Sequence, residues 1–123
     1  MVTEQYCSFE TAKLLKEKGF NGYSFAYYTT DKKLNINCKA LTNAAIDDGI
    51  TYCEFSAPTH QMAMAWLREK EIDIIVFHEK LPMNRYWARI EKYPYTEFQQ
   101  EPIYSTYEEA VDAALKYALE NLI

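Results

Sequence analysis

The chain has 123 residues, of which 49% are apolar and 25% charged, with a formal charge of −5. So much buriable side chain excludes a disordered segment, and the length suits one ordinary core, with residues 1–123 as a single globular domain. No apolar run reaches the roughly 18 residues a membrane-spanning helix needs. Met1-Val2-Thr3-Glu4-Gln5 lacks the basic-then-apolar order of a secretory signal, so a cytoplasmic protein is expected.

The first predicted helix runs from Ser8 to Lys18, with Ser8 as N-cap, Glu10 in the first turn and Gly19 just past the end. Its apolar stripe is Cys7, Thr11, Leu14 and Leu15. Residues 23–30 and 34–40 read as strands joined by Asp31-Lys32-Lys33, the second alternating Leu34, Ile36, Cys38 and Ala40 against Asn35, Asn37 and Lys39. A short helix is expected from a Thr42 cap to Gly49, then a short strand over 50–55. Pro58 and Thr59 open a second long helix to about Lys70, with Met62, Ala63, Trp66 and Leu67 inward. Strands 72–78 and 85–92 make a second hairpin, and 93–105, with Pro94, Pro102 and four aromatics, reads as an irregular crossing. The last helix starts at a Thr106/Glu109 capping box and runs to about Asn121, with Val111, Ala114, Leu115, Ala118 and Leu122 along one side. The fold expected is α+β: a mainly antiparallel sheet of four to five strands, built from two hairpins, with three main helices packed on it.

Charge and chemistry narrow the function classes. Residues 1–96 hold 12 acids and 12 bases, whereas 97–123 hold six acids against Lys116. Duplex nucleic-acid binding needs a net basic face, so that partner class is disfavoured. There is no phosphate-binding glycine loop, no G-x-S-x-G and no H-E-x-x-H, and no cofactor is expected. Cys38, Cys53, His60 and His78 together offer four zinc-type donors, but the nearest two, Cys53 and His60, are seven residues apart, so no metal site is predicted. Three cysteines without a C-x-x-C pair read as small core residues rather than a disulfide framework. The catalytic candidates are Cys53 as nucleophile and His60 as base in a small hydrolase; the plainer reading is a buried cysteine and a surface histidine. Eleven tyrosines suit either a recognition surface or the edges of a small sheet.

The second hairpin is the most informative segment. One face would carry Ile72, Ile74, Val76, Tyr86, Ala88 and Ile90, and the other Ile75, Phe77 and Trp87 flanked by Arg85 and Arg89. Strands apolar on both faces must be covered on both, either by a helix of the same chain or by another molecule. The predicted partner-binding residues are therefore Ile75, Phe77, Arg85, Trp87 and Arg89, serving an unidentified protein or a second copy. Asp73 and Glu91 project from the same face and supply opposite charge for a homodimer. A single-stranded nucleic-acid strip of Arg85, Trp87, Arg89 and Lys39 is the alternative.

The runs Cys7-Ser8-Phe9-Glu10-Thr11-Ala12-Lys13-Leu14-Leu15-Lys16-Glu17-Lys18-Gly19-Phe20, Ala57-Pro58-Thr59-His60-Gln61-Met62-Ala63-Met64-Ala65-Trp66-Leu67-Arg68-Glu69 and Thr106-Tyr107-Glu108-Glu109-Ala110 resemble small proteins encoded in phage-derived and mobile regions of gut Bacteroidetes genomes. These runs are helix starts and faces, so the resemblance marks lineage; it implies a cytoplasmic protein of a bacterium or its phage and brings no catalytic residue with it.

Overall fold

A computed structural model describes residues 5–50, 52–94, 96–99 and 103–123; the side chains of Cys38 and of residues 96–99 lie outside that description. The class is α+β with antiparallel strand pairing, and among the described residues six strands divide into two sheets of three. The chain forms two compact units, Met1–Ala63 and Met64–Ile123.

In the first unit, α1 (Phe9–Glu17) is capped as its sequence requires: the Ser8 side chain accepts from the Thr11 amide, and Gly19 takes a φ of +97° after the C-cap. Strands β1 (Ser24–Tyr28), β2 (Leu34–Leu41) and β3 (Phe55–Ser56) form a sheet in the order β2-β1-β3. Phe9 of α1 packs edge-on to Tyr28, with centroids 5.4 Å apart, and against Phe55 at 4.9 Å. The Tyr28 hydroxyl donates to the Cys7 carbonyl at 2.6 Å, fixing the start of α1 on this face. Short helix α2 (Asn43–Asp47) begins at the expected Thr42 cap.

Two expectations are corrected here. Of the predicted 50–55 strand only Phe55 lies in β3, which runs on to Ser56 beyond the predicted end, and 52–54 stay outside the strand. The alternation of β2 does not persist: Ala26 pairs Ile36 but Ser24 pairs Leu41, so five residues of β2 answer two of β1. That irregularity shifts the phase, burying Leu41 and leaving Leu34 and Ile36, on the edge strand, 42% and 67% exposed.

The boundary between the units falls within α3 (His60–Glu69). Its buried side chains include His60, Ala63, Met64 and Leu67, one stripe at i, i+3, i+4 and i+7, whereas Met62, expected inward, is exposed.

The second unit contains β4 (Ile72–Glu79), β5 (Arg85–Lys92), β6 (Thr96–Gln99) and α4 (Tyr107–Asn121). The first two form an unbroken eight-residue hairpin ladder from Ile72↔Lys92 to Glu79↔Arg85. Strand β6, within the segment read as an irregular crossing, pairs with β5 from Arg89↔Gln99 to Lys92↔Thr96. Beyond it, Tyr104 exchanges two backbone hydrogen bonds of 2.7 Å with Tyr86, so the outer edge of β5 is paired over most of its length. Helix α4 buries Ala110, Val111, Ala114, Leu115, Ala118 and Leu119. Its capping box is present: the Glu109 amide donates to Thr106 Oγ1 at 3.1 Å, and both the Thr106 and Ser105 hydroxyls donate to the Glu109 carboxylate.

Candidate functional site

The sheet of the second unit has two unlike faces. Ile72, Ala88 and Ile90 are fully buried on one of them. That face meets α4: Tyr86 lies edge-on to Tyr107 at 6.3 Å, and the Lys92 ammonium donates to the Leu122 carbonyl at the far end of the helix. The inward set read from the alternation is thus the α4 face.

On the opposite face the register sets out four cross-strand rows: Asp73 with Glu91, Ile75 with Arg89, Phe77 with Trp87, and Glu79 with Arg85. All five predicted partner-binding residues, Ile75, Phe77, Arg85, Trp87 and Arg89, share this face and are half-buried. Phe77 and Trp87 stack nearly parallel, centroids 4.3 Å apart at 15°. The Arg89 guanidinium lies 5.3 Å from the Phe77 centroid, a cation–π contact, and its Nε lies 3.0 Å from the Glu91 carboxylate as an ion pair. Arg85 is held by Glu79 through Nε at 3.0 Å and Nη2 at 2.9 Å. Part of the apolar demand of this face is therefore met by the face itself, since each ring covers its cross-strand neighbour.

The sequence reading missed Glu79. It lies one residue beyond the predicted 72–78 strand, and its pairing with Arg85 depends on a strand end and loop length that alternation does not specify. It also missed the stack of His78 on Tyr86, 4.1 Å apart at 8°, with His78 Nε2 2.5 Å from Asn84 Oδ1 across the hairpin mouth. No family model, curated protein or solved structure matches this chain. The functional reading therefore rests on the chemistry of the surfaces.

Two features bear on the nucleic-acid strip. Arg85 and Arg89 each face a carboxylate of their own hairpin, and with Asp73 the face holds three acids against two bases. Lys39, the fourth member of the strip, is exposed on β2 of the other unit. A backbone-tracking groove draws on unneutralised cations, and the two arginines of this strip are each paired with a carboxylate of their own hairpin.

Cys53 sits with Leu41 and Ile46 in a small apolar cluster, with Tyr27 and Ile50 packed against it. Burial pushes its thiol above the usual cysteine range, so the protonated, unreactive form is favoured at neutral pH. The same burial, followed by the neighbouring Cys53 and Tyr52, raises the Tyr27 phenol. His60 is 6% exposed rather than on the surface, and its backbone amide donates to the Gln5 carbonyl at 2.9 Å. It is buried because it begins the inward stripe of α3, which the apolar spacing alone did not disclose. The side chain of Cys38, third of the cysteines, lies outside the described residues.

Iodoacetamide should label Cys53 in the native protein at least ~100-fold more slowly than in urea, the protection given by about 3 kcal/mol of local opening free energy. The linked stability follows from the direction of the shift. A thiol raised in the folded state contributes fully below its unfolded range and loses that contribution as alkali ionises the native cysteine. Fast labelling below pH 7 would return Cys53 to the list of nucleophiles.

Proposed function

We propose that this chain is a non-enzymatic protein-interaction module, acting in the cytoplasm through the outer face of the β4–β5 hairpin. The observation that carries the reading is the Phe77–Trp87 stack, half-buried on the face opposite α4 and bordered by Arg85 and Arg89. Trp and Arg are the residues most enriched among energetically dominant interface contacts, and a stacked pair in a rigid ladder loses little side-chain freedom on docking. Among the described residues no helix is long and apolar enough to cross a membrane, which suits a partner met in solution. The resemblance of the helix runs to phage-derived and mobile-element proteins supports a bacterial or phage protein as that partner, in an accessory role.

The test is affinity capture from a bacterial lysate with the wild-type chain and with Trp87→Ala. A partner retained by the first and lost by the second, with unchanged far-ultraviolet circular dichroism, supports the face. Equal retention by both chains sinks it.

A further inference from the structure

Strand β2 is an outer strand of the first sheet, and the hydrogen bonds show which of its backbone groups point away from that sheet. The Ala57 and Glu54 amides donate to the Ala26 and Tyr28 carbonyls at 2.9 and 2.8 Å, so Ala26 and Tyr28 turn their backbone groups toward β3. Tyr27 and Thr29 turn theirs toward β2, the Thr29 amide donating to the Lys33 carbonyl at 3.1 Å. Asn35 and Lys33 answer them, and the alternate residues Leu34 and Ile36, opposite Tyr28 and Ala26, therefore aim N–H and C=O away from β1. Among the described residues nothing pairs with those groups. The two side chains are exposed as well, 42% for Leu34 and 67% for Ile36. They share the face of Tyr28, but Phe9 of α1 covers that face over Tyr28 and Phe55, on the other two strands. A free row of donors and acceptors beside exposed apolar side chains is what recruits another strand.

We propose that a second copy of the chain supplies that strand, β2 pairing antiparallel with β2 about a two-fold axis that stands perpendicular to the sheet at Asn35. Two sheets in the order β2-β1-β3 then join into one, and the symmetry closes the assembly at two copies. This edge belongs to the first unit and is independent of the hairpin face described above. Leu34 lies opposite Ile36 of the second copy, and Ile36 opposite its Leu34. Each pair exchanges both backbone hydrogen bonds and sets two apolar side chains against each other. This register is the one that satisfies every free group. Shifted two residues one way, Ile36 falls opposite Lys32, whose φ of +64° turns it out of the strand. Shifted the other way, Leu34 falls opposite Cys38, in the stretch where β2 pairs irregularly with β1, and Lys39 falls opposite Lys33, a like-charge pair. In the proposed register Lys33 faces Asn37 instead, and Lys39 extends toward the turn that carries Asp31.

Light scattering at micromolar concentration should give the wild-type chain a mass of twice 14.5 kDa. Ile36→Pro removes an outward N–H that the chain's own sheet does not use, so the mass should fall to that of one chain while far-ultraviolet circular dichroism stays as in wild type. Ile36→Lys keeps the donor but sets a charge against Leu34 of the second copy; it should also run as one chain, and it gives the reading if proline disturbs the strand. The axis has a readout of its own. Asn35 stands opposite its own copy as a non-hydrogen-bonded pair, with Cα atoms about 4.5 Å apart, within the span of a disulfide. In a chain whose Cys38 is replaced by Ser, Asn35→Cys should therefore form a covalent dimer under mild oxidation, and Asn37→Cys, facing Lys33, should not. A wild-type monomer overturns the proposal, as does a dimer that keeps its mass in both Ile36 variants, or cross-linking no faster through Asn35→Cys than through Asn37→Cys. A dimer lost in Trp87→Ala and kept in the Ile36 variants overturns it in favour of the hairpin face.

Discussion

Replacing Leu115 by Ala is expected to cost about 2–5 kcal/mol of unfolding free energy, the range for truncating a fully buried leucine. Leu115 is 0% exposed, in a helix whose other buried positions include Ala110, Ala114 and Ala118. Those alanines let α4 lie close on β4 and β5, so few long side chains are available to swing into the space a missing isobutyl group leaves. Urea denaturation followed by circular dichroism measures the loss as a lowered midpoint at unchanged slope. Lys116→Ala, one residue along on the exposed side, should stay within about 0.5 kcal/mol of wild type. A Leu115→Ala midpoint equal to that of Lys116→Ala would show that α4 does not hold the sheet as described.

The second large effect belongs to Asn43. Its side chain is 5% exposed and bridges two separate backbone groups: Nδ2 donates to the Phe20 carbonyl at 2.9 Å, and Oδ1 accepts from the Ser56 amide at 2.8 Å. A third bond ties the same region, with the Ala44 amide donating to Asn21 Oδ1 at 2.8 Å. Truncation to Ala strands both a buried carbonyl and a buried N–H, and at ~1–3 kcal/mol for each unsatisfied group the loss should be about 2–6 kcal/mol. Asn43→Asp separates the two bonds. The carboxylate still accepts from Ser56 but cannot donate to Phe20, so this variant should be weaker than wild type at pH 7 and recover as the pH falls and a proton returns the donor. Thermal melts of Asn43→Asp at pH 7 and pH 4, set beside wild type at each pH, check the sign. A difference from wild type that fails to narrow at pH 4 contradicts the bridging role.

Asn43 also marks the limit of what local pattern can disclose. At the first position of a five-residue helix behind a Thr42 cap, it reads from the sequence as an ordinary polar residue of a helix start. Its burial follows from two segments, around Phe20 and Ser56, that are 23 and 13 residues away. The same holds for β6: Thr96–Gln99 is short and flanked by prolines, and pairing with β5 organises it, rather than a strong alternation of its own. In β2 the alternation was genuine over Leu34–Ile36, but the irregular pairing opposite Ser24–Ala26 changed which residues face inward further along.

Where the physics is local, the amino-acid order was sufficient. Caps at Ser8, Thr42 and Thr106 work within three residues of chain, each hydroxyl accepting from an amide three positions on, so they fix helix starts whatever the surroundings. The α+β class and both hairpins follow equally from period and turn residues, and the two-sided apolar pattern of 72–92 correctly placed Ile75, Phe77, Arg85, Trp87 and Arg89 on one face. Long-range packing settled the rest: the division of the strands into two sheets, the apolar cluster around Cys53, the burial of His60, and the closing of Arg85 and Arg89 onto their own acids. Those outcomes depend on register and on contacts between distant segments, where a shift of one residue exchanges the two faces of a strand, and composition carries no record of it.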